Sequence, residues 1–226
     1  MPPDIAARPQ IAYRLWLAAS LATSVAYFVL RGGALQVDAE TLLKGAGVGL
    51  LAVYAVRVAK GADGWLLALV MGLSALADMV LERDLRWGGA TFAFAHIFAI
   101  VLYLRNPRAS RSVSQVLAAL ALMLGTPLLA ALLTMPQQGW GLAAIYSLFV
   151  GAMAASAWVS RFPRYRVGIG AVLFVISDLL IFAREGQRLP DGVTSWLIWP
   201  FYYAGQFLIT IGVAGTLNRT RAERVI

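Results

Sequence analysis

Cysteine is absent from this 226-residue chain, and histidine occurs once, at His96. The lack of cysteine excludes disulfides, thiolate metal ligands and a cysteine nucleophile. A single histidine excludes a zinc site with three histidine ligands from one chain, and no HExxH motif is present. A GxSxG motif is also absent, which argues against a serine hydrolase built on a nucleophile elbow. We therefore expect neither a metal nor a cofactor.

Charged residues are scarce as well. They make up 13% of the chain, against 60% hydrophobic residues, whereas soluble domains contain roughly 25% charged residues. Long apolar runs recur from Ile11 to Leu217, and a helix needs about 20 residues to cross a membrane. No Gly/Ser-rich linker or low-complexity tract divides the chain. These features predict an all-α polytopic membrane protein in which residues 1–226 form a single transmembrane domain.

The apolar runs predict eight transmembrane helices, separated by short loops that carry Gly, Pro and charged residues. The segment MPPDIAARPQ at the start has no small-residue cleavage site after a short apolar core, so we expect the first helix to be retained. The predicted spans are Ile11–Leu30, Leu42–Val58, Trp65–Leu81, Trp87–Leu104, Val113–Thr134, Trp140–Trp158, Val167–Ala183 and Thr194–Leu217.

The distribution of basic residues predicts the orientation of these spans. Eight spans place both termini on one side, and thirteen of the nineteen Lys and Arg residues fall on that side. Five fall on the other side, and Lys44 lies just inside a span. The positive-inside rule therefore predicts that both termini are cytoplasmic. Topology also explains the net charge of +8 better than nucleic-acid binding, because the arginines lie in short loops rather than on one basic face.

Ionisable side chains inside the predicted spans are the strongest functional signal. Each one costs at least about 2.5 to 3.5 kcal/mol to insert, so each needs an explanation. Four residues qualify, namely Lys44, Asp78, His96 and Asp178. Glu82 follows Asp78 by one turn and shares its helix face.

The predicted orientation places these residues in one layer. With a rise of about 1.5 Å per residue, Asp78, His96 and Asp178 fall within roughly 6 to 14 Å of the non-cytoplasmic rim. The cytoplasmic halves of the same helices are almost purely apolar. We therefore expect a site that opens to the non-cytoplasmic side. The same layer also contains Lys44, Tyr202, Tyr203 and Gln206.

Each candidate also has a structural interpretation. Asp78 and Asp178 can form an interhelical pair, although two carboxylates at matching depth favour function. His96 can donate a hydrogen bond between helices. Lys44 and Glu82 can anchor helix ends at the membrane surface. Tyr202 and Tyr203 can belong to an aromatic belt. Ser74 and Ser177 can make contacts between helices.

Two carboxylates in a cavity of low polarity are suited to acid/base catalysis, because one can donate a proton while the other accepts one. A pocket open to the outer leaflet indicates an amphiphilic substrate. Lys44, with Arg83 or Arg86 from a loop, is available to meet a phosphate.

Four segments hold the polar residues in a fixed order along the chain. They are GLSALADMVLE (72–82), FAFAH (92–96), LFVISDLL (173–180) and YYAGQFLITIG (202–212). With Lys44 early in the second span and Tyr103, these segments resemble the YhhN-like family of lysoplasmalogenases. The resemblance covers essentially the whole chain. One departure is Ala77, where Gly is expected before the first Asp.

This resemblance implies an integral membrane hydrolase of a bacterial inner (plasma) membrane. Its substrates would be lysoplasmenyl-ethanolamine and -choline, whose vinyl ether bond is cleaved to give a fatty aldehyde and glycerophospho-ethanolamine or -choline. Asp78 and Asp178 would then be the catalytic acid and the water-activating base, in an order left open, and His96 would orient water or shuttle protons. The lysophospholipid and the bilayer are the partners expected. The predicted substrate-binding residues are Lys44, Glu82, Tyr202, Tyr203, Gln206, Ser74 and Ser177.

Two other functions compete with this one. An intramembrane aspartyl protease also uses two carboxylates, but neither Asp78 nor Asp178 lies in a GxGD motif. A proton-coupled transporter would also contain Asp, Glu and His inside its spans. It would need a polar path through the cytoplasmic half, which looks apolar.

Overall fold

The structure, a computed structural model, describes residues 4–33 and 36–223, with side chains described from 13 to 33 and from 36 to 219. These residues form eight α-helices and one five-residue π-helical turn, without a β-strand. The helices are α1 Asp4–Leu30, α2 Val37–Val58, α3 Gly61–Leu81, α4 Leu85–Leu104, α5 Val113–Thr134, α6 Trp140–Val159, α7 Ile169–Glu185 and α8 Asp191–Glu223, and the π-helical turn at Arg164–Gly168 leads into α7.

Within the described residues, all eight helices are long and apolar enough to span a membrane. The predicted all-α, polytopic membrane fold is therefore confirmed. The predictions that both termini are cytoplasmic and that the first helix is retained stay predictions.

The helix ends differ from the predicted spans where helices continue into polar sequence. α1 begins at Asp4 rather than near Ile11, and α8 continues to Glu223 rather than ending near Leu217. Hydropathy locates the apolar part of a helix, whereas backbone hydrogen bonding can extend beyond it. Met1 to Pro3 of the N-terminal segment, and Arg224 among the basic residues assigned to the cytoplasmic side, lie outside the described residues.

Local capping fixes the starts of two helices. The side chain of Ser112 accepts a hydrogen bond from the backbone N–H of Gln115, whose own side chain accepts one from the backbone N–H of Ser112. This capping box begins α5. A carboxylate oxygen of Asp84 accepts hydrogen bonds from the backbone N–H groups of Arg86 and Trp87, at 2.8 and 3.0 Å, and so caps the first turn of α4.

The helices fall into two compact units. The first contains α1, α2, α3, α4 up to Ala95 and α8 from Ala214, whereas the second runs from His96 to Val213. In the first unit, α2 packs against both α1 and α3. In the second, α5, α6 and α7 pack against one another. The assignment of residues 1–226 to a single domain stays a prediction.

Two glycines let α7 and α8 approach closely within the second unit. A Cβ atom on Gly205 would lie 2.6 Å from the carbonyl oxygen of Gly170, and one on Gly170 would lie 2.7 Å from the carbonyl oxygen of Gly205. Small residues at such crossings allow backbone-to-backbone packing in membrane helices. Asp178 on α7 and Tyr202 on α8 lie within about two turns of this crossing. The glycine pair therefore sets the spacing of the helices that carry them.

We expect Gly205→Ala to lower the free energy of unfolding by about 1 to 3 kcal/mol, because the added methyl group forces the two backbones apart. Thermal unfolding in detergent measures the change. The matched control is Gly215→Ala on the same helix, where an added Cβ has no atom within 4 Å. Equal losses of stability in the two variants would contradict the close approach described here.

Candidate functional site

In the first unit, a buried lysine is paired with the acidic end of α3. Lys44 of α2 is 8% exposed, and its ammonium donates to a carboxylate oxygen of Glu82, which directly follows α3. Asp78, one turn earlier and 2% exposed, also acts electrostatically on the Lys44 ammonium. The same ammonium lies 5.8 Å from the centroid of the Tyr27 ring on α1. The packing of α2 on α3 thus brings together three of the predicted residues.

A second ion pair of the first unit differs in its exposure. Arg83 donates to a carboxylate oxygen of Asp38, and the two side chains are 61% and 80% exposed. Water solvates both groups, so this pair contributes little to stability. The Lys44–Glu82 pair is the less solvated of the two, because the Lys44 side chain is only 10% exposed.

In the second unit, three helices contribute to one chain of hydrogen bonds. Asp178 of α7 is 6% exposed and accepts a hydrogen bond from the hydroxyl of Tyr146 on α6, at an oxygen–oxygen distance of 2.8 Å. The same hydroxyl lies 3.3 Å from Nε2 of His96 on α4, which is 3% exposed. His96, Tyr146 and Asp178 are therefore linked in series through one phenolic oxygen. We call them the His–Tyr–Asp relay.

Aromatic rings surround this relay. Phe174, one turn before Asp178 on α7, meets the His96 ring edge-on with centroids 4.9 Å apart, and it meets the Tyr202 ring at 5.4 Å. Trp199 extends the cluster, because its ring centroid lies 5.4 Å from that of Tyr202. The rings restrict the orientation of His96 and keep the surroundings poorly polar, which strengthens charge interactions at Asp178.

The predicted residues of α8 belong to the same aromatic cluster. Tyr202, Tyr203 and Gln206 are all buried, and the Gln206 side-chain amide donates to the Tyr202 hydroxyl at 3.5 Å. Tyr203 stacks on Trp199 with an interplanar angle of 20°. Both tyrosines are packed within the protein, which favours packing over the aromatic-belt interpretation. Ser74 and Ser177 are buried in α3 and α7.

Sequence reasoning missed Tyr146. A phenol costs less free energy to insert into a membrane than a charged side chain, so selecting charged residues inside the spans does not identify Tyr146. The depth of its hydroxyl is the signal that could have found it, because Tyr146 follows the predicted outer end of its span by six residues, or about 9 Å. Phe174 offers no polar signal, and its role depends on packing alone.

The relay permits two arrangements of protons. When Asp178 is ionised, Tyr146 donates to it and accepts the Nε2–H of His96. When Asp178 is protonated, it donates to Tyr146, whose own proton is then shared with an unprotonated Nε2 of His96. A proton can therefore pass between Asp178 and His96 through one hydroxyl while the heavy atoms stay in place.

No group of three or more His, Asp or Glu side chains within the described ranges is arranged to hold a metal ion. The expectation of neither metal nor cofactor stays a prediction.

Comparison with known proteins gives one match. The family model described as the YhhN family matches residues 39–213. This stretch contains every predicted site residue, from Lys44 to Gln206. Neither the curated proteins nor the solved structures contain a match to the chain.

We expect Lys44→Met to lower the free energy of unfolding by about 3 kcal/mol, since it removes the cation next to the buried Asp78 carboxyl group and breaks the ion pair with Glu82. Lys44→Met combined with Glu82→Gln should recover part of that loss. Thermal unfolding measures both. The control is Arg83→Gln, which removes the exposed pair and should cost at most about 1 kcal/mol. A loss from Lys44→Met no larger than the control's would contradict a structural role for the Lys44–Glu82 pair.

Proposed function

The chain belongs to the YhhN family, and we propose that it is a membrane hydrolase that cleaves the vinyl ether bond of lysoplasmalogens. The products are a fatty aldehyde and a glycerophospho-ethanolamine or glycerophospho-choline. The observation that carries the proposal is the His–Tyr–Asp relay, a buried carboxyl group connected to a histidine through a single hydroxyl.

Hydrolysis of a vinyl ether requires proton transfers and one water molecule. The outer carbon of the double bond takes a proton, its π electrons form the new C–H bond, and the carbon next to oxygen becomes an oxocarbenium ion. Water adds to that carbon and loses a proton, which gives a hemiacetal. The hemiacetal then transfers a proton to its ether oxygen and separates into aldehyde and alcohol. A general acid and a general base meet these demands, without a covalent nucleophile.

Asp178 is proposed as one of the two catalytic groups. If it protonates carbon, Tyr146 and His96 return a proton to it after each turnover. If it takes the proton from the attacking water, the same relay carries that proton away. Both directions use the reversible hydrogen bonds of Tyr146, so the relay supports the proposal whichever role Asp178 has.

Asp78 is proposed as the other catalytic carboxyl group. Its surroundings are those of the first unit, where Lys44 and Glu82 supply one positive and one negative charge. A glycerophospho-ethanolamine or -choline headgroup carries the complementary charges, a phosphate and an ammonium. This complementarity supports the assignment of Lys44 and Glu82 to headgroup binding.

The remaining assignments concern the glycerol region of the substrate. Tyr202, Tyr203 and Gln206 offer two phenols and one amide. These groups are proposed to hydrogen-bond the ether oxygen or the free glycerol hydroxyl. Ser74 and Ser177 lie near Asp78 and Asp178 on their own helices, and both are proposed as substrate-binding residues.

The activity is tested on detergent-purified protein, given either a lysoplasmalogen or its saturated alkyl-ether analogue. We expect fatty aldehyde from the vinyl ether alone, and a loss of more than about 100-fold in Asp178→Asn and in Asp78→Asn. The matched control is Asp38→Asn, which alters an exposed carboxylate and should keep full activity.

Thermal unfolding establishes that each variant is folded. Absence of aldehyde from folded wild-type protein would reject the proposal, as would peptide cleavage or proton-coupled transport by protein that leaves lysoplasmalogen intact.

The relay makes a separate prediction for Tyr146→Phe. This substitution keeps the ring and removes the hydroxyl, so kcat should fall about 10- to 100-fold while KM changes little, because proton transfer is lost and the packing is kept. Steady-state aldehyde release at several substrate concentrations measures both constants. Tyr54→Phe, a half-buried tyrosine of α2, is the control and should be silent. An unchanged kcat in Tyr146→Phe would contradict the relay.

A further inference from the structure

Six arginines lie in two segments of the second unit, away from the His–Tyr–Asp relay in sequence. The first segment, residues 105–112, follows α4, and the second, residues 160–168, follows α6 and ends with the π-helical turn at Arg164–Gly168. Neither segment contains Asp or Glu, so their sequences offer no neutralising charge. The arginines are Arg105, Arg108, Arg111, Arg161, Arg164 and Arg166. We call these two segments the arginine loops.

Hydrogen bonds join the arginine loops into one surface. The Arg161 guanidinium donates through Nε to the side-chain oxygen of Asn106 at 2.7 Å, and its backbone N–H donates to the Asn106 carbonyl at 2.9 Å. Arg108 donates to the carbonyl oxygens of Ser160 and Phe162, at 3.1 and 3.2 Å. Arg108 and Arg161 therefore have a structural role, because they join the two segments.

The Arg164 side chain is held partly inside the protein, next to an aromatic ring. Its Nε is buried and has no hydrogen-bond partner within the part of the chain that the structure describes. Its guanidinium carbon lies 5.9 Å from the centroid of the Trp158 ring on α6. A Cβ on Gly168 would lie 2.8 Å from that ring, so glycine is needed for the indole and Arg164 to pack on the turn. The buried Nε is closed to outside molecules, so a ligand of Arg164 would bind the other N–H groups of its guanidinium.

The position of the arginine loops indicates what such a ligand is. They directly follow two helices that are long enough to cross the membrane, so their guanidinium groups lie at the depth of lipid headgroups. Tyr165, between Arg164 and Arg166, is 82% exposed, and tyrosine favours the membrane interface. Guanidinium groups bind phosphate through paired N–H donors.

We propose that the arginine loops bind the phosphate of an anionic phospholipid at a site separate from that of the proposed hydrolase. A phosphodiester without an ammonium group fits best, because the ammonium of a zwitterionic lipid would be repelled by the six positive charges. Arg164 and Arg166 contact the phosphate, Tyr165 packs along the glycerol region, and Arg108 and Arg161 keep the two loops together. This site does not depend on the proposed catalytic activity.

The test is a titration of purified protein in nonionic detergent with phosphatidylglycerol, followed by native mass spectrometry. Phosphatidylcholine and inorganic phosphate are titrated in parallel. We expect saturable binding of phosphatidylglycerol, with much weaker binding of the other two. Arg164→Gln combined with Arg166→Gln should weaken phosphatidylglycerol binding about 25-fold, or about fivefold for each arginine.

Two further double variants test whether the weaker binding of phosphatidylglycerol is specific to Arg164 and Arg166. Arg14→Gln combined with Arg184→Gln removes the same charge from α1 and from the end of α7, and should leave the affinity unchanged. Arg164→Lys combined with Arg166→Lys keeps the charge and should recover only part of the binding, because lysine lacks the planar fork. Size exclusion and thermal unfolding show that each variant is folded.

Three results would overturn the proposal. The first is equal affinity for phosphatidylcholine, which would show that the charge of the lipid is not recognised. The second is equal affinity for inorganic phosphate, which would assign the surface to a soluble anion. The third is an unchanged affinity for phosphatidylglycerol in the folded Arg164/Arg166 glutamine variant.

Discussion

The low polarity of the membrane interior is the constraint on which the arrangement of this protein depends. A polar group at that depth has no water to bind, so it needs a partner within the protein. Ser20 of α1 donates to the carbonyl of Gly47 on α2 at 2.6 Å, Lys44 pairs with Glu82, and Tyr146 donates to Asp178. The contacts that join the helices are therefore also the contacts that orient the side chains of the candidate site.

This constraint explains what could be predicted from the sequence. The spans were recognisable because hydrocarbon demands about 20 apolar residues, and α5 has the predicted bounds Val113–Thr134. The ionisable candidate residues are recognisable because the free-energy cost of inserting them into a membrane is large. Tyr146 was missed because a phenol costs little, and the π-helical turn before α7 was missed because it leaves the hydropathy pattern unchanged. The pairing of Asp178 with Tyr146 depends on how α6 and α7 are rotated, which periodicity alone does not determine.

The proposed reaction does not require the residue types that are absent or rare in this chain. The chain has no cysteine nucleophile and only one histidine, and vinyl ether hydrolysis needs only water, a general acid and a general base. A carboxyl group joined to a histidine through one hydroxyl can supply and remove protons in a place that water reaches poorly. The arginine loops have the opposite character, because their guanidinium groups lie at a helix end where a charged lipid can reach them.

The most direct measurement of the central claim is the isotopic content of the aldehyde formed from lysoplasmalogen in D2O. Protonation at carbon predicts one deuterium on the carbon next to the aldehyde, detected by mass spectrometry after immediate trapping as an oxime. Unlabelled aldehyde incubated in D2O for the same time corrects for exchange. One deuterium above this background, lost with the aldehyde itself in Asp178→Asn, is the predicted result. Aldehyde without deuterium at that carbon would contradict the proposed mechanism.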